Sequence, residues 1–446
     1  DALPAFLEGL HQAAEGQAAP EFLELYRWYK NHPEAGIPAD DYVEAVFFRN
    51  PKDVIGKTAA HALYGQVLTN SATRLERYAA CAFAHFMEYG LRLQERVQYE
   101  FKANDMGSVM HEALEQFSRL LEKQGLEWKN LDEEERDRLI DESVEAVIGD
   151  YGNTILQSSS RNRYMILRVK RILRRTVWAL QEQLKKGSFT PGAFEVSFAM
   201  EDSLDAINIT LSDEEKLRLR GRIDRMDVCE KNDTVYVKII DYKSGNTSLD
   251  LVALYYGLQL QLVVYMDAAL ELEEKKHPGK DVEPAGIFYY HIGDPMLEKK
   301  DGETDEAWNR RLLAALKMEG LVNADPEVVA LLDHSVGAGA SSDVVPVGYK
   351  KDGSFSSYSK VATREEFSVI RKYTELKIRE IGRGILDGNA EAAPYQLGAK
   401  NACTFCAYSG ICGFDQRLPG FQYRKLKTLD DFELIKAMQE DVETWE

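Results

Sequence analysis

Apolar residues recur at helical spacing through most of the first 190 positions and at strand spacing from about position 191. In "DMGSVMHEALEQFSRLLEKQG", Met110, Leu114, Phe117 and Leu121 form one stripe. In "RNRYMILRVKRILRRTVWAL", Ile166, Val169, Leu173, Val177 and Leu180 form another. "SATRLERYAACAFAHFMEYGLRL" opens on Ser71 or Thr73 as helix N-caps. "FEVSFAM", "KLRLRGRIDRMDV", "TVYVKIIDY" and "AGIFYYHI" then have strand character, rich in β-branched and aromatic residues. A helix, "LDLVALYYGLQLQLVVYMDAALELEEKK", separates the last two. The pattern predicts an α/β fold: helices over 1–70 and 71–190, then a strand–strand–strand–helix–strand core over 191–300. Residues 301–365, polar and containing "GAGASSD", read as a variable insertion or loop. Residues 366–446 read as a long helix ending at Gly388, a cysteine-bearing loop and an acidic helical tail.

Composition narrows the function. The chain has 446 residues, enough for two or three domains, and no apolar run approaching a membrane span. It shows no signal-peptide pattern, which predicts a cytoplasmic protein without a membrane partner. It begins with Asp, so it reads as one piece of a longer chain. Net charge is −19, which taken alone disfavours a polyanionic partner, but local clusters decide binding. Arg161, Arg163, Arg168, Lys170, Arg171, Arg174 and Arg175 crowd one helix whose other face is apolar. This stripe is either a solvated surface or a phosphate contact. Gly56-Lys57-Thr58 resembles the end of a phosphate-binding loop, but Pro51 stands where that loop needs glycine, so it is read as a decoy.

The chemistry concentrates in "KLRLRGRIDRMDVCEKNDTVYVKIIDYKSG" (216–245). Asn232-Asp233 suits a two-residue hairpin turn. Such a turn pairs residues whose numbers sum to 465, and Asp224 and Asp241 do. Two carboxylates that close repel unless a cation joins them. Mg²⁺ suits such a site, being held by one or two carboxylates plus substrate oxygens. Lys243, two residues beyond Asp241, projects from the same face. It would hold the attacking water or steady a phosphate. Gln261 and Tyr265 lie four apart on one helical face, where a buried amide needs a partner. Gly107 and His111 are again four apart; the glycine permits close backbone approach and His111 could reach a metal or phosphate. Glu195 in "FEVSF" is a further possible ligand.

Of five cysteines, Cys403, Cys406 and Cys412 fall within ten residues at ligand spacing. A fourth ligand would be Cys81 or Cys229, and the strand context of Cys229 marks it as core. Zinc and an iron–sulfur cluster both accept four thiolates. The all-cysteine set with a distant fourth member leans toward iron–sulfur.

"GSVMH", "GRID", "DYKSG" and "QLVVY", in that order, resemble the motifs of the RecB-family branch of PD-(D/E)XK nucleases. "LYGQVLTNSATRLERYAACAFAHFMEYGLRL", "YMILRVKRILRRTVWAL", "AGIFYYHIGDP" and the late "CTFCAYSGIC" resemble the C-terminal nuclease region of AddB-type subunits of bacterial ATP-dependent helicase–nucleases. The likeness covers roughly 60–430. It implies a restriction-endonuclease-like core, a mixed central sheet flanked by helices, with residues 1–70 the remnant of a helicase-like region. It assigns metal ligation to Asp224, Asp241, the Tyr242 carbonyl and His111, and the catalytic lysine to Lys243. Gln261 and Tyr265 would support substrate positioning. Cys81, Cys403, Cys406 and Cys412 would hold a [4Fe–4S] cluster. Ala82 departs from the proline the family often has there. The expected activity is Mg²⁺- or Mn²⁺-dependent exonucleolytic cleavage of single-stranded DNA from unwound duplex ends. The strand ending in 5′ would be trimmed, beside an AddA-type helicase–nuclease partner, in double-strand-break repair by recombination. The basic helix and Arg222 would guide the backbone. Two other readings are a non-catalytic DNA scaffold on a nuclease fold and a stand-alone iron–sulfur exonuclease of the CRISPR-adaptation type.

Overall fold

A computed structural model describes residues 2–17, 19–48, 54–94, 96, 103–150, 159–198, 204 and 207–445. Helices dominate as far as position 190: α1 (Leu3–Ala14), α2 (Pro20–Asn31), α3 (Ala39–Phe47) and α4 (Lys57–Tyr64) precede a short strand β1 (Val67–Asn70). They are followed by α5 (Ala72–Ala80), α6 (Ala82–His85), α7 (Ala103–Gln124), α8 (Glu133–Asp150) and α9 (Ser160–Lys186). The first three pack around their own small core of Phe6, Leu10, Phe22 and Tyr29. Ser71 caps α5 by accepting from the Arg74 amide, one of the two N-caps read from the sequence.

Strands β2 (Thr190–Ser197), β3 (Asn208–Thr210), β4 (Lys216–Leu219), β5 (Arg222–Lys231) and β6 (Thr234–Lys243) follow. "FEVSFAM" thus ends as a strand at Ser197, and residues 199 and 200 lie outside the described residues. Next come α10 (Leu251–Tyr255), α11 (Gln261–Lys276), β7 (Asp281–His291), α12 (Asp305–Ala315), β8 (Glu319–Asn323), α13 (Pro326–Leu332) and β9 (Val361–Ala362). The chain closes with α14 (Arg364–Leu386), the short strands β10 (Tyr395–Leu397), β11 (Lys400–Asn401) and β12 (Arg424–Lys425), and α15 (Asp431–Trp445).

Six strands form the central sheet in the order β2-β5-β6-β7-β8-β9. It is mixed: β6 and β7 run parallel, joined over one face by α10 and α11, while β2, β5 and β6 are successive antiparallel neighbours. One face packs against α11 and α14, with α15 laid over α14 and α10, and Leu262, Val263, Ile370, Ile378, Leu434 and Met438 are buried there. The other packs against α7, α8 and α9, with Met110, Leu114, Phe117, Val144, Val169 and Leu173 buried. The helical stripes read from the sequence are therefore core, each large side chain worth about 1.5–3 kcal/mol of burial.

The hairpin has the predicted register. Lys231 pairs with Thr234 across a two-residue turn, and pairing continues to Arg225 opposite Ile240. Asn232 adopts φ 56°, which an asparagine in a tight hairpin turn tolerates.

Residues 301–365 correct the reading of an insertion or loop. They supply α12 and α13, and two strands of the central sheet, β8 and β9. Val344, Val345 and Val347 are buried beside the glycine- and serine-rich turns. Ser342 donates to Asp333 and accepts from the amides of Val344 and Val345, so side chains replace the regular ladder there. Among the described residues, no helix is long and apolar enough to cross a membrane.

Candidate metal-dependent active site

One row of the sheet carries the acids. The hairpin register, taken one step past Arg225–Ile240, sets Asp224 opposite Asp241. On the other side of β5, Phe194 pairs with Arg225 and Val196 with Ile223, so Glu195 falls opposite Asp224. Three carboxylates thus line up across β2, β5 and β6. Asp241 in turn neighbours Tyr289 on β7. Alternation explains why Asp227 is not among them: three residues on, it faces the opposite layer. There it is fully buried between Arg225 (2.6 and 3.0 Å) and Lys238 (2.8 Å).

The row is electrostatically loaded. Burial, together with the nearby Asp224 charge, pushes the Glu195 carboxyl up to about 7. The same two causes push Asp241 up to about 6 against the pull of Lys243. Glu195 also sits at φ 50°, a left-handed conformation that non-glycine residues adopt at a cost and that clusters at functional sites. His111, from α7, places Nδ1 3.4 Å from Asp224 Oδ2. Burial works against its charged form, but the Asp224 contact outweighs burial and raises its pKa. One ligand atom each from His111, Glu195 and Asp224 lie within 4.8 Å of one another. An imidazole and two carboxylates in so tight a group, with Glu195 lifted by burial and by the Asp224 charge, fit a hard divalent ion.

Lys243 is built into a chain of contacts. Lys243 Nζ lies 2.6 Å from Asp241 Oδ2, a buried oxygen, and donates to Gln261 Oε1 at 3.1 Å. Gln261 Nε2 donates to the Tyr265 hydroxyl at 2.9 Å. The amide in the apolar stripe thus finds its partner at the sheet end. Two glycines admit this packing. A Cβ on Gly221 would lie 2.3 Å from the Phe198 ring and 2.9 Å from that of Tyr265. One on Gly107 would lie 3.0 Å from Ser244 Oγ, just past Lys243. The Tyr242 amide donates to Asp224 Oδ2 at 2.8 Å, fixing that carboxylate, while the Tyr242 ring turns to the far layer and meets His111 edge-on.

The structure thus gathers Asp224, Asp241, Lys243, His111, Gln261 and Tyr265, with Tyr242 between two of them. Glu195, the further possible ligand of the sequence reading, lies close beside them. Arg222 is half-exposed and contacts Glu195. The basic helix is less free than its sequence implies. Lys170 pairs with Glu145 at 2.6 Å, Arg174 with Asp141 at 2.6 Å and Arg171 with Asp294 at 2.8 Å; Arg175 stacks over Trp178. Arg161, Arg163 and Arg168 are exposed at its N-terminal half. Lys57 of the decoy loop pairs with Glu215 at 2.9 Å.

The cysteines converge on the end of α5. Cys81 follows the helix and is buried, while Cys403, Cys406 and Cys412 are partly exposed. Burial raises the Cys81 thiol pKa, and neighbouring Cys406 and Cys403 add to the rise; Cys403 likewise feels Cys406 and Cys412. Cys229 lies apart in β5, buried in the opposite core layer. The loop is tied by Asn401 Oδ1, which accepts from the Cys403 and Thr404 amides. Among the described residues, the tight ligand group contains no cysteine.

The mixed sheet thus brings three acids, a lysine and a histidine together at one end. The model of the PD-(D/E)XK nuclease superfamily matches residues 69–413, and the chain belongs to that superfamily. It is 40% identical over 437 residues to the B component of the ATP-dependent helicase/deoxyribonuclease of Lachnoclostridium phytofermentans, covering 96% of this chain and 37% of that protein. It is 36% identical to the corresponding protein of Alkaliphilus metalliredigens (97% and 38%) and 37% identical to that of Thermoanaerobacter pseudethanolicus (94% and 36%). The chain therefore spans somewhat over a third of the length of these relatives.

Proposed function

We propose that this chain is the nuclease module of a helicase–nuclease and hydrolyses phosphodiester bonds of single-stranded DNA. The observation that carries this reading is the row Glu195–Asp224–Asp241 with Lys243 at its end. His111, Glu195, Asp224 and Asp241 would hold Mg²⁺ or Mn²⁺, with the Tyr242 carbonyl beside them. The bound ion would supply charge stabilisation at the scissile phosphate. Lys243, held between Asp241 and Gln261, steadies the attacking water or the phosphate's charge. Gln261 and Tyr265 keep that ammonium in place. The exposed Arg161, Arg163 and Arg168 guide the DNA backbone. Cys81, Cys403, Cys406 and Cys412 hold a [4Fe–4S] cluster that closes the chain around the core. The names of the relatives support a helicase partner, and the resemblance to AddB-type subunits supports trimming of the strand that ends in 5′ at broken duplexes.

End-labelled single-stranded DNA incubated with the full chain and Mg²⁺ tests the reading. Progressive shortening that EDTA stops is expected. No cleavage in Mg²⁺ or Mn²⁺ would leave a DNA-binding scaffold instead, and cleavage indifferent to EDTA would overturn the metal role.

The raised carboxyls set a pH dependence. Glu195 and Asp241 retain protons into the neutral range in the fold, and a cation must displace them. Lower pH therefore opposes binding. Mn²⁺ affinity, measured by calorimetry, is expected to fall from pH 8 to pH 5.5. The slope is about tenfold per pH unit for each proton displaced, once pH lies below the respective pKa.

A further inference from the structure

The catalytic lysine is positioned through the N-terminus of α11, and that terminus lacks a cap of its own. Its N-cap residue is Leu260, whose side chain offers no acceptor. The acceptor comes from another helix. Glu76 of α5 is partly buried, and its Oε1 accepts from the Leu260 amide at 2.7 Å and the Gln261 amide at 3.1 Å. Gln261 is the residue whose side chain receives Lys243 Nζ at 3.1 Å. Burying a carboxylate is costly, and burial raises the pKa of this one. The amides of a helix start offset that cost in part.

The helix carrying Glu76 is itself clamped at its other end. Cys81 lies five residues on. Arg77 Nη2 lies 4.0 Å from Cys406 Sγ. Arg424 donates to the Ala80 carbonyl at 3.2 Å and to that of Ala79, capping the end of α5 from the strand that follows the cysteine loop. Gly257, with φ 75°, lets the turn before α11 lie against Ala79; a Cβ there would be 3.3 Å from the Ala79 Cβ.

The geometry points to Glu76 as a positioning residue: its carboxylate docks the clamped helix α5 onto the start of α11 and so fixes Gln261 and Lys243 in line with Asp241. This rests on the nuclease reading of the Lys243 site. It assigns the cysteine loop an indirect effect on catalysis, transmitted through α5 with no contact to the reacting atoms.

The test measures kcat and KM on end-labelled single-stranded DNA with saturating Mg²⁺, using the full chain, normalised to the folded fraction from thermal melts. Glu76→Ala is expected to lower kcat about 10- to 100-fold, the scale of a misplaced catalytic group, with KM within about twofold of wild type. Glu76→Gln keeps the accepting oxygen and is expected to recover kcat to within about threefold of wild type. Wild-type kcat in Glu76→Ala, a change in KM alone, or a Gln variant as impaired as the Ala variant would each overturn the inference. If Glu76→Ala does not fold, Glu76→Asp replaces it: the shorter arm should lower kcat, and a wild-type value overturns the proposal. Lys243→Ala run alongside separates the two levels. If it keeps wild-type kcat, the nuclease reading of Lys243 itself fails; if it is inactive while Glu76→Ala is unimpaired, only the positioning role fails.

Discussion

Asp241→Ala is expected to reduce Mg²⁺-dependent cleavage by about a thousandfold or more, since the lost charge stabilisation amounts to several kcal/mol at about 1.4 kcal/mol per factor of ten. The fold should survive. Asp241 is buried with its carboxyl pushed up to about 6, above its unfolded value, so at pH 7.5 its ionised form is less stable in the fold than in the unfolded chain. Removing it takes away that penalty, and Lys243, partly exposed, keeps Gln261. The metal-free variant should therefore melt no lower than wild type, and DNA binding in an electrophoretic shift assay should persist. Loss of cleavage with collapse of the melting transition would instead make Asp241 structural. The site would be one more case of stability given up for function.

Cys81→Ser is expected to strip the protein of a brown chromophore and lower Tm by about 2–5 °C, the scale of losing a native cross-link in a chain of 446 residues. A cluster shared by Cys81 and the 403–412 loop would tie the end of α5 to a segment more than 300 residues away in sequence, so losing Cys81 would free both. Cys229→Ser is the control: buried in β5 on the other side of the sheet, it should leave the colour unchanged. A colourless wild-type protein carrying zinc would contradict the iron–sulfur assignment, and an unchanged Tm in Cys81→Ser would contradict the clamp.

Much of this site is legible before any coordinates. The Asn232-Asp233 turn fixes the register by counting, and period-two alternation then puts Asp224, Asp241 and Lys243 on one face. Helical spacing sets Gln261 and Tyr265 on one face and His111 one turn from Gly107, while their place in the site comes from the resemblance. Glu195 is harder to place. A bulge between Pro191 and Ala193 breaks the count along β2, and the left-handed backbone at Glu195 departs from a regular strand. Only its pairing with β5 shows that it faces Asp224. The cap by Glu76 joins residues 184 apart and has no local signature. The basic helix shows the opposite failure. Its charges are plain, but their partners Asp141, Glu145 and Asp294 sit on other elements. Residues 301–365 look like a loop because their strands are short and their buried valines are set among glycine and serine.

The central claim is that the acidic row and His111 together capture a divalent cation. Calorimetric titration of Mn²⁺ into the full chain at pH 8, beside Asp224→Asn and Glu195→Gln, tests it most directly. Saturable binding in the wild type that disappears in Asp224→Asn and weakens by about tenfold or more in Glu195→Gln is the predicted result. Equal binding in all three proteins would contradict it.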